Sequence, residues 1–187
     1  MDEKIHLQTP LSNEDTKHLK VGDHVLLSGI IYTGRDMVHR RFMETIQKGG
    51  DLPFEVKGQV LFYVGPAPAR PGYSIGSCGP TTSYRMDKFT PILYEKGLRG
   101  TIGKGKRNQT VREAIKKYGG VYFVATGGVA ALLCKSIKSA KIIAYEDLAA
   151  EAVRELVVDN FPVTVGNDCY GGDIFEDGIK RFGGTSK

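Results

Sequence analysis

The spacing of apolar positions along this chain changes several times, and each change marks an element. The run "HVLLSGIIYTG", between Gly22-Asp23 and Gly34, is aliphatic and β-branched, which predicts a strand buried on at least one face. In "DMVHRRFMETIQKGG" the period lengthens: Met37, Val38, Phe42, Met43 and Ile46 fall on one helical face, with Asp36 as cap and Gly49-Gly50 as stop. On that reading His39, Arg40 and Arg41 form the wet face. "GQVLFYVGPAPARPGY" begins as a strand and becomes a Pro/Gly-rich loop. Thr90-Pro91 reads as an N-cap with proline at the first helical position, and Gly97 as the stop.

Further on, "RGTIGKGKR" predicts a short strand ending in a glycine-rich turn, and "TVREAIKKYGG" an amphipathic helix. "VYFVATGGVAALLCKSI" predicts an apolar strand, a Gly-Gly turn and a small-residue helix, and "AKIIAYED" another strand. "LAAEAVRELVVDNF" carries helical spacing, and "PVTVGND" a last short strand. Near the start, Ser12 and Asp15 make a capping box for a short helix. Alternating strands and helices over 187 residues, with neither repeat nor linker, predict a single α/β domain spanning 1–187 with a mixed or largely parallel sheet. Its ends, about 1–10 and about 178–187, are expected to be flexible.

Composition narrows the function classes. Hydrophobic residues at 41% and charged residues at 25% are ordinary for a globular chain. The net charge of +5 is dispersed, and the one local excess, "KGKRNQTVREAIKK", is too short a stripe for a nucleic-acid surface. Three isolated cysteines, Cys78, Cys134 and Cys169, offer neither a zinc-type pair nor a disulfide framework. No apolar run approaches a membrane span, and the expected location is the cytoplasm.

Chemistry concentrates in four stretches. "GPTTSYRMD" combines a tight turn, hydroxyls and Arg85; if a helical turn begins there, Thr81 and Arg85 lie one above the other and face one anion. A capped turn with Arg85 paired to Asp87 or solvent fits the spacing equally. "YTGRD" sets Arg35 beyond a strand's C-terminal end, where open α/β sheets bind ligands. "IGKGKR" presents Lys104 from a glycine turn that is not a Walker A loop, and alone it reads as a basic surface turn. "ATGGVAALL" lacks dinucleotide-binding spacing and reads as a packing turn, while Cys78 reads as buried in its loop.

Together and in this order, "SGIIYTGRD", "GPTTSYRMD", "IGKGKR" and "ATGGVAALL" resemble the β subunit of class I, iron–sulfur-dependent fumarate hydratases, equivalent to the C-terminal domain of their single-chain relatives. The resemblance runs from about Leu11 into the last strand. It implies a fold of the swivelling β/β/α type and a hydro-lyase of the tricarboxylic acid cycle that interconverts fumarate and L-malate. It also implies a 4Fe-4S cluster carried by a separate α subunit, no metal ligand from this chain, and a hetero-oligomer of α and β chains. Arg35, Arg85 and Lys104 then look like ligands of a small dicarboxylate, and Thr81 like the base that takes the malate C3 proton. Tyr84 and Cys78 stand where relatives often carry a small residue and an alanine, which opens L-tartrate as an alternative substrate. A non-catalytic anion-binding or assembly module is the alternative from another class.

Overall fold

The computed structural model describes residues 4–69, 71–125 and 130–183. Its centre is a small closed sheet. Strands β2 (His24–Thr33), β3 (Val60–Phe62), β4 (Gly100–Gly103) and β5 (Val121–Val124) are parallel neighbours in that order. The long strand β7 (Val153–Asn167) runs antiparallel to both β5 and β2 and so closes the circle. Strand β1 (Ile5–Gln8) adds parallel to β2, and β6 (Ile137–Ala144) adds antiparallel to β7. The fold is thus a single α/β domain with a mixed sheet closed into a five-stranded barrel-like core.

Alternation within the strands sorts side chains into two layers. Val60 and Phe62 of β3, and Val121 and Phe123 of β5, point inward to join Val25, Leu27, Ile31, Ile102, Leu156, Val158 and Phe161 in the main core. Leu61 and Tyr63 point outward, where Val38 and Phe42 of α2 (Asp36–Gln47) and Leu93 of α3 (Thr90–Glu95) cover them. Tyr122 packs outward under Val111 and Ile115 of α4 (Gln109–Tyr118). Strands covered on both faces read as unbroken apolar runs, which is why β2, β3 and β5 are legible in the sequence.

The predicted helix over "LAAEAVRELVVDNF" is corrected. Glu146–Glu151 forms a 3₁₀ segment, and Val153 onward is the barrel strand β7, which also absorbs "PVTVGND". Its inward residues are Val158, Phe161, Val163 and Val165, so the parity changes between Val158 and Phe161. The register against β2 shifts at that place, and Asn160 has φ 51. A bulge that inserts a residue accounts for the change of parity.

Near the ends, Ile5–Gln8 is a paired strand, and α6 (Ile174–Phe182) has Asp173 as its N-cap. The short helix α1 (Asn13–Lys17) carries the predicted Ser12/Asp15 capping box. The glycine turn of "ATGGVAALL", residues 126–129, lies outside the described residues; α5 (Ala130–Lys135) follows it. No helix among the described residues is long and apolar enough to cross a membrane.

Candidate functional site

The four predicted residues come from three separate loops, all leaving the C-terminal ends of parallel strands. Arg35 follows β2, Thr81 and Arg85 lie on the long connection after β3, and Lys104 follows β4 directly. Parallel strands direct their C-terminal ends to one edge of the sheet, so residues far apart in sequence meet there.

Backbone hydrogen bonds bring the two later loops together. The Thr81 N–H donates to the Tyr63 carbonyl at 2.6 Å, which anchors the loop at the end of β3. The Lys104 N–H donates to the Thr81 carbonyl at 3.3 Å, and the Ser83 N–H to the Lys104 carbonyl at 2.9 Å. Thr82 and Lys104 thereby form a parallel bridge that joins the Thr81 loop to the residue just past β4. Gly103 makes this approach possible, because a Cβ there would collide with the Ser83 hydroxyl and meet Tyr63 at 3.0 Å.

A carboxylate joins the two arginines. Arg85 donates from Nε to Asp36 Oδ1 at 3.0 Å, and its Nη2 makes an ion pair with Oδ2 at 2.9 Å, while Oδ2 itself accepts no hydrogen bond. Arg35 Nε sits 3.9 Å from the same Oδ2, and its Nη2 is 3.7 Å from Glu151. Arg35 crosses above Gly65, where an added Cβ would stand 2.8 Å from Nη1. Asp36 is therefore not the helix cap. Arg35 occupies the N-cap without a side-chain bond, and the Asp36 carboxylate holds Arg85 instead.

Two further expectations change. Thr81 and Arg85 are not stacked on a helix: Thr82 is extended, and only Ser83–Met86 makes a 3₁₀ turn. The loop's path rather than an i,i+4 relation brings Thr81 and Arg85 to the same edge. Arg85 does not pair with Asp87 either, for Asp87 belongs to Arg107.

Arg107 is the residue that sequence reasoning missed. Its side chain is fully buried, donates from Nε to Asp87 Oδ1 at 2.7 Å, and reaches Thr90 Oγ1 at 2.9 Å and Thr101 Oγ1 at 3.2 Å. The other Asp87 oxygen accepts the Asn108 N–H at 2.7 Å. The guanidinium stands over the rings of Tyr122 and Tyr63, at 4.9 and 5.3 Å. Burial disfavours its charge, but the surrounding phenols and the Asp87 carboxylate outweigh that and hold it protonated. This buried pair ties the end of the Thr81 loop to the end of the Lys104 loop, directly behind the exposed cations. A signal existed in "RMD" and "GKGKR", each carrying one charge more than the site needs.

His39 is corrected from wet face to core. It is fully buried, its Nδ1 lies 2.8 Å from the Arg35 carbonyl, and its ring packs against Phe89 and Tyr63. Burial lowers its pKa to about 4, so the ring is neutral and Nδ1–H donates to the carbonyl. It fixes the turn that presents Arg35. Cys78 is buried, as expected, while Tyr84 is exposed beside Arg85.

This arrangement, of cations from three loops with a threonine, coincides with a sequence match. Residues 1–178 match the family described as Fumarase C-terminus. The chain belongs to that family. It is similar to fumarate hydratase 2 of Leishmania major, at 36% identity over 92% of this chain and 31% of the relative. It is similar to the anaerobic class I fumarate hydratase of Escherichia coli K12, at 35% identity over 95% of this chain and 33% of the relative. A third relative, named "Putative L(+)-tartrate dehydratase subunit beta", from Methanocaldococcus jannaschii, is 37% identical over 91% of both chains. The chain thus spans about a third of the fumarate hydratases and nearly all of the β subunit.

Among the described residues no three His, Cys, Asp or Glu side chains gather to hold a metal ion. Cys78 and Cys134 donate to the Gly76 carbonyl, and Cys169 faces the Thr16 carbonyl elsewhere.

Proposed function

We propose that this chain is the smaller subunit of a two-chain, class I fumarate hydratase, contributing the dicarboxylate-binding half of the active site. The observation that carries this reading is the meeting of Arg35, Thr81, Arg85 and Lys104 on one sheet edge, with both arginines on Asp36. Family membership supports it, and the relative named as a subunit beta supports a partner chain. We assign the 4Fe-4S cluster to that α subunit.

The residues of this chain then bind, orient and move a proton. Arg35 and Arg85 take the carboxylates of a small dianion, with Asp36 setting the plane of the Arg85 fork. Lys104, one backbone step from Thr81, supplies positive charge where negative charge grows on the carboxylate beside the carbon that loses its proton. Thr81 accepts that proton as an alkoxide, its own proton having passed to a carboxylate that we assign to the partner chain. A threonine hydroxyl is a weak base, so the cationic surroundings are what make the role feasible.

The test is an anaerobic assay of the assembled complex, following fumarate by its ultraviolet absorbance with malate and tartrate offered separately. Malate turnover that needs both chains is the expected result. Thr81→Ala should lower kcat by about 100-fold or more while the complex stays intact. Turnover unchanged in Thr81→Ala removes the base from Thr81. Tartrate as the sole substrate moves the reading to a tartrate dehydratase, which the equal-length relative favours. An intact cluster-bearing complex without turnover would leave an anion-binding or assembly module.

A further inference from the structure

Two thiols converge on one carbonyl oxygen at the start of the Thr81 loop. Cys78 donates to the Gly76 carbonyl at 3.2 Å and Cys134, on α5, donates to the same oxygen at 2.8 Å. Neither thiol has a role in dianion binding. They differ in access: Cys78 is fully buried, whereas Cys134 is partly exposed and, with Tyr73, Ile75, Gly76, Ser77 and Lys135, lines a cavity of about 400 Å³. Cysteines 56 positions apart that share one acceptor are held together by the tertiary fold alone.

We propose that Cys78 and Cys134 are a redox pair that closes to a disulfide when the chain meets an oxidising low-molecular-weight disulfide such as glutathione disulfide. The Cys134 thiolate, reached through the cavity, attacks one sulfur of the incoming disulfide. An S–S bond forms to Cys134, the old S–S bond breaks, and one glutathione thiolate leaves. Cys78 then gives up its proton and attacks Cys134 sulfur, the mixed disulfide breaks, and the second glutathione leaves. Two protein thiols are oxidised and one glutathione disulfide is reduced to two thiols. Burial, with Cys134 as its neighbour, holds the Cys78 thiol pKa well above the usual range, which makes Cys134 the first nucleophile.

Closure removes both S–H donors from the Gly76 carbonyl and links the loop three residues before Thr81 to α5. The fold-back of that loop is tight, because a Cβ on Gly76 would collide with the carbonyls of Ala67 and Pro68. Oxidation therefore acts on the segment that leads into the site.

The test uses the full reduced chain. It is incubated under native conditions with glutathione disulfide, quenched with an alkylating agent in denaturant, and analysed by intact mass and peptide mapping. The expected result is a loss of two hydrogen atoms, a peptide joining Cys78 to Cys134, and alkylation confined to Cys169. In Cys134→Ser, Cys78 should stay reduced, and should that variant fold poorly the wild-type map still decides. A stable glutathione adduct on Cys134, three alkylated thiols, or a cross-link that forms only after unfolding would each overturn the proposal.

Discussion

Arg107 and Asp87 are the residues on which the candidate site depends without either facing its ligand. Their side chains are almost wholly inaccessible, at 0% and 5%, so each charge is tolerable only because of the other. Arg107→Met should cost about 3–5 kcal/mol, because it leaves Asp87 buried and uncompensated. Asp87→Asn should cost a similar amount, and the double variant less than the sum. Urea denaturation of the four chains checks this; additive losses would mean that the pair is not coupled.

His39 adds a pH dependence at the same scale. Its folded pKa of about 4 lies below the ordinary 6.5, so between these values the unfolded chain binds more protons than the fold. Stability is therefore full above about pH 6.5 and falls as pH drops toward about 4, by roughly 3 kcal/mol. His39→Gln should flatten that part of the pH profile relative to the wild type, measured by the denaturation midpoint. The burial of His39 was hidden from sequence reasoning. Helical spacing marks His39 as polar, and nothing local shows that α2 rolls it under Phe89.

Among the elements, the join between β4 and the Thr81 loop is the most exposed to change. Gly103→Ala places a methyl group into the Ser83 hydroxyl and against Tyr63, so the two strand ends must separate. The cost should be about 1–3 kcal/mol, with weakened dicarboxylate binding, because Thr81 and Lys104 part with the strands. Isothermal titration with a substrate analogue on the assembled complex measures it; normal affinity would show that the Thr81–Lys104 backbone contact is not needed. Elements with intact local signals were legible: β2 by its β-branched run, α1 by its capping box, and α4 by its amphipathic spacing and glycine stop. Strand β7 was not, because Ala149, Val153, Leu156 and Val157 fall at helical intervals although the last three lie on a strand.

Across the whole molecule, β7 closes the barrel, and its inward side chains are the most widely shared part of the core. Leu156→Ala should cost about 2–5 kcal/mol and lower the denaturation midpoint in one transition that also releases β2. Amide exchange should slow most in β2 and β7; a separate early transition for β7 would contradict a single closed core.

The sequence by itself determined the α/β class and most of the parallel strands, since periodicity and residue type are local properties. The closure of the barrel, the sharing of Asp36 by two arginines, the burial of His39, the Arg107–Asp87 pair and the meeting of Cys78 with Cys134 were decided by tertiary structure. Each depends on contacts between residues distant in the chain, which local spacing does not encode.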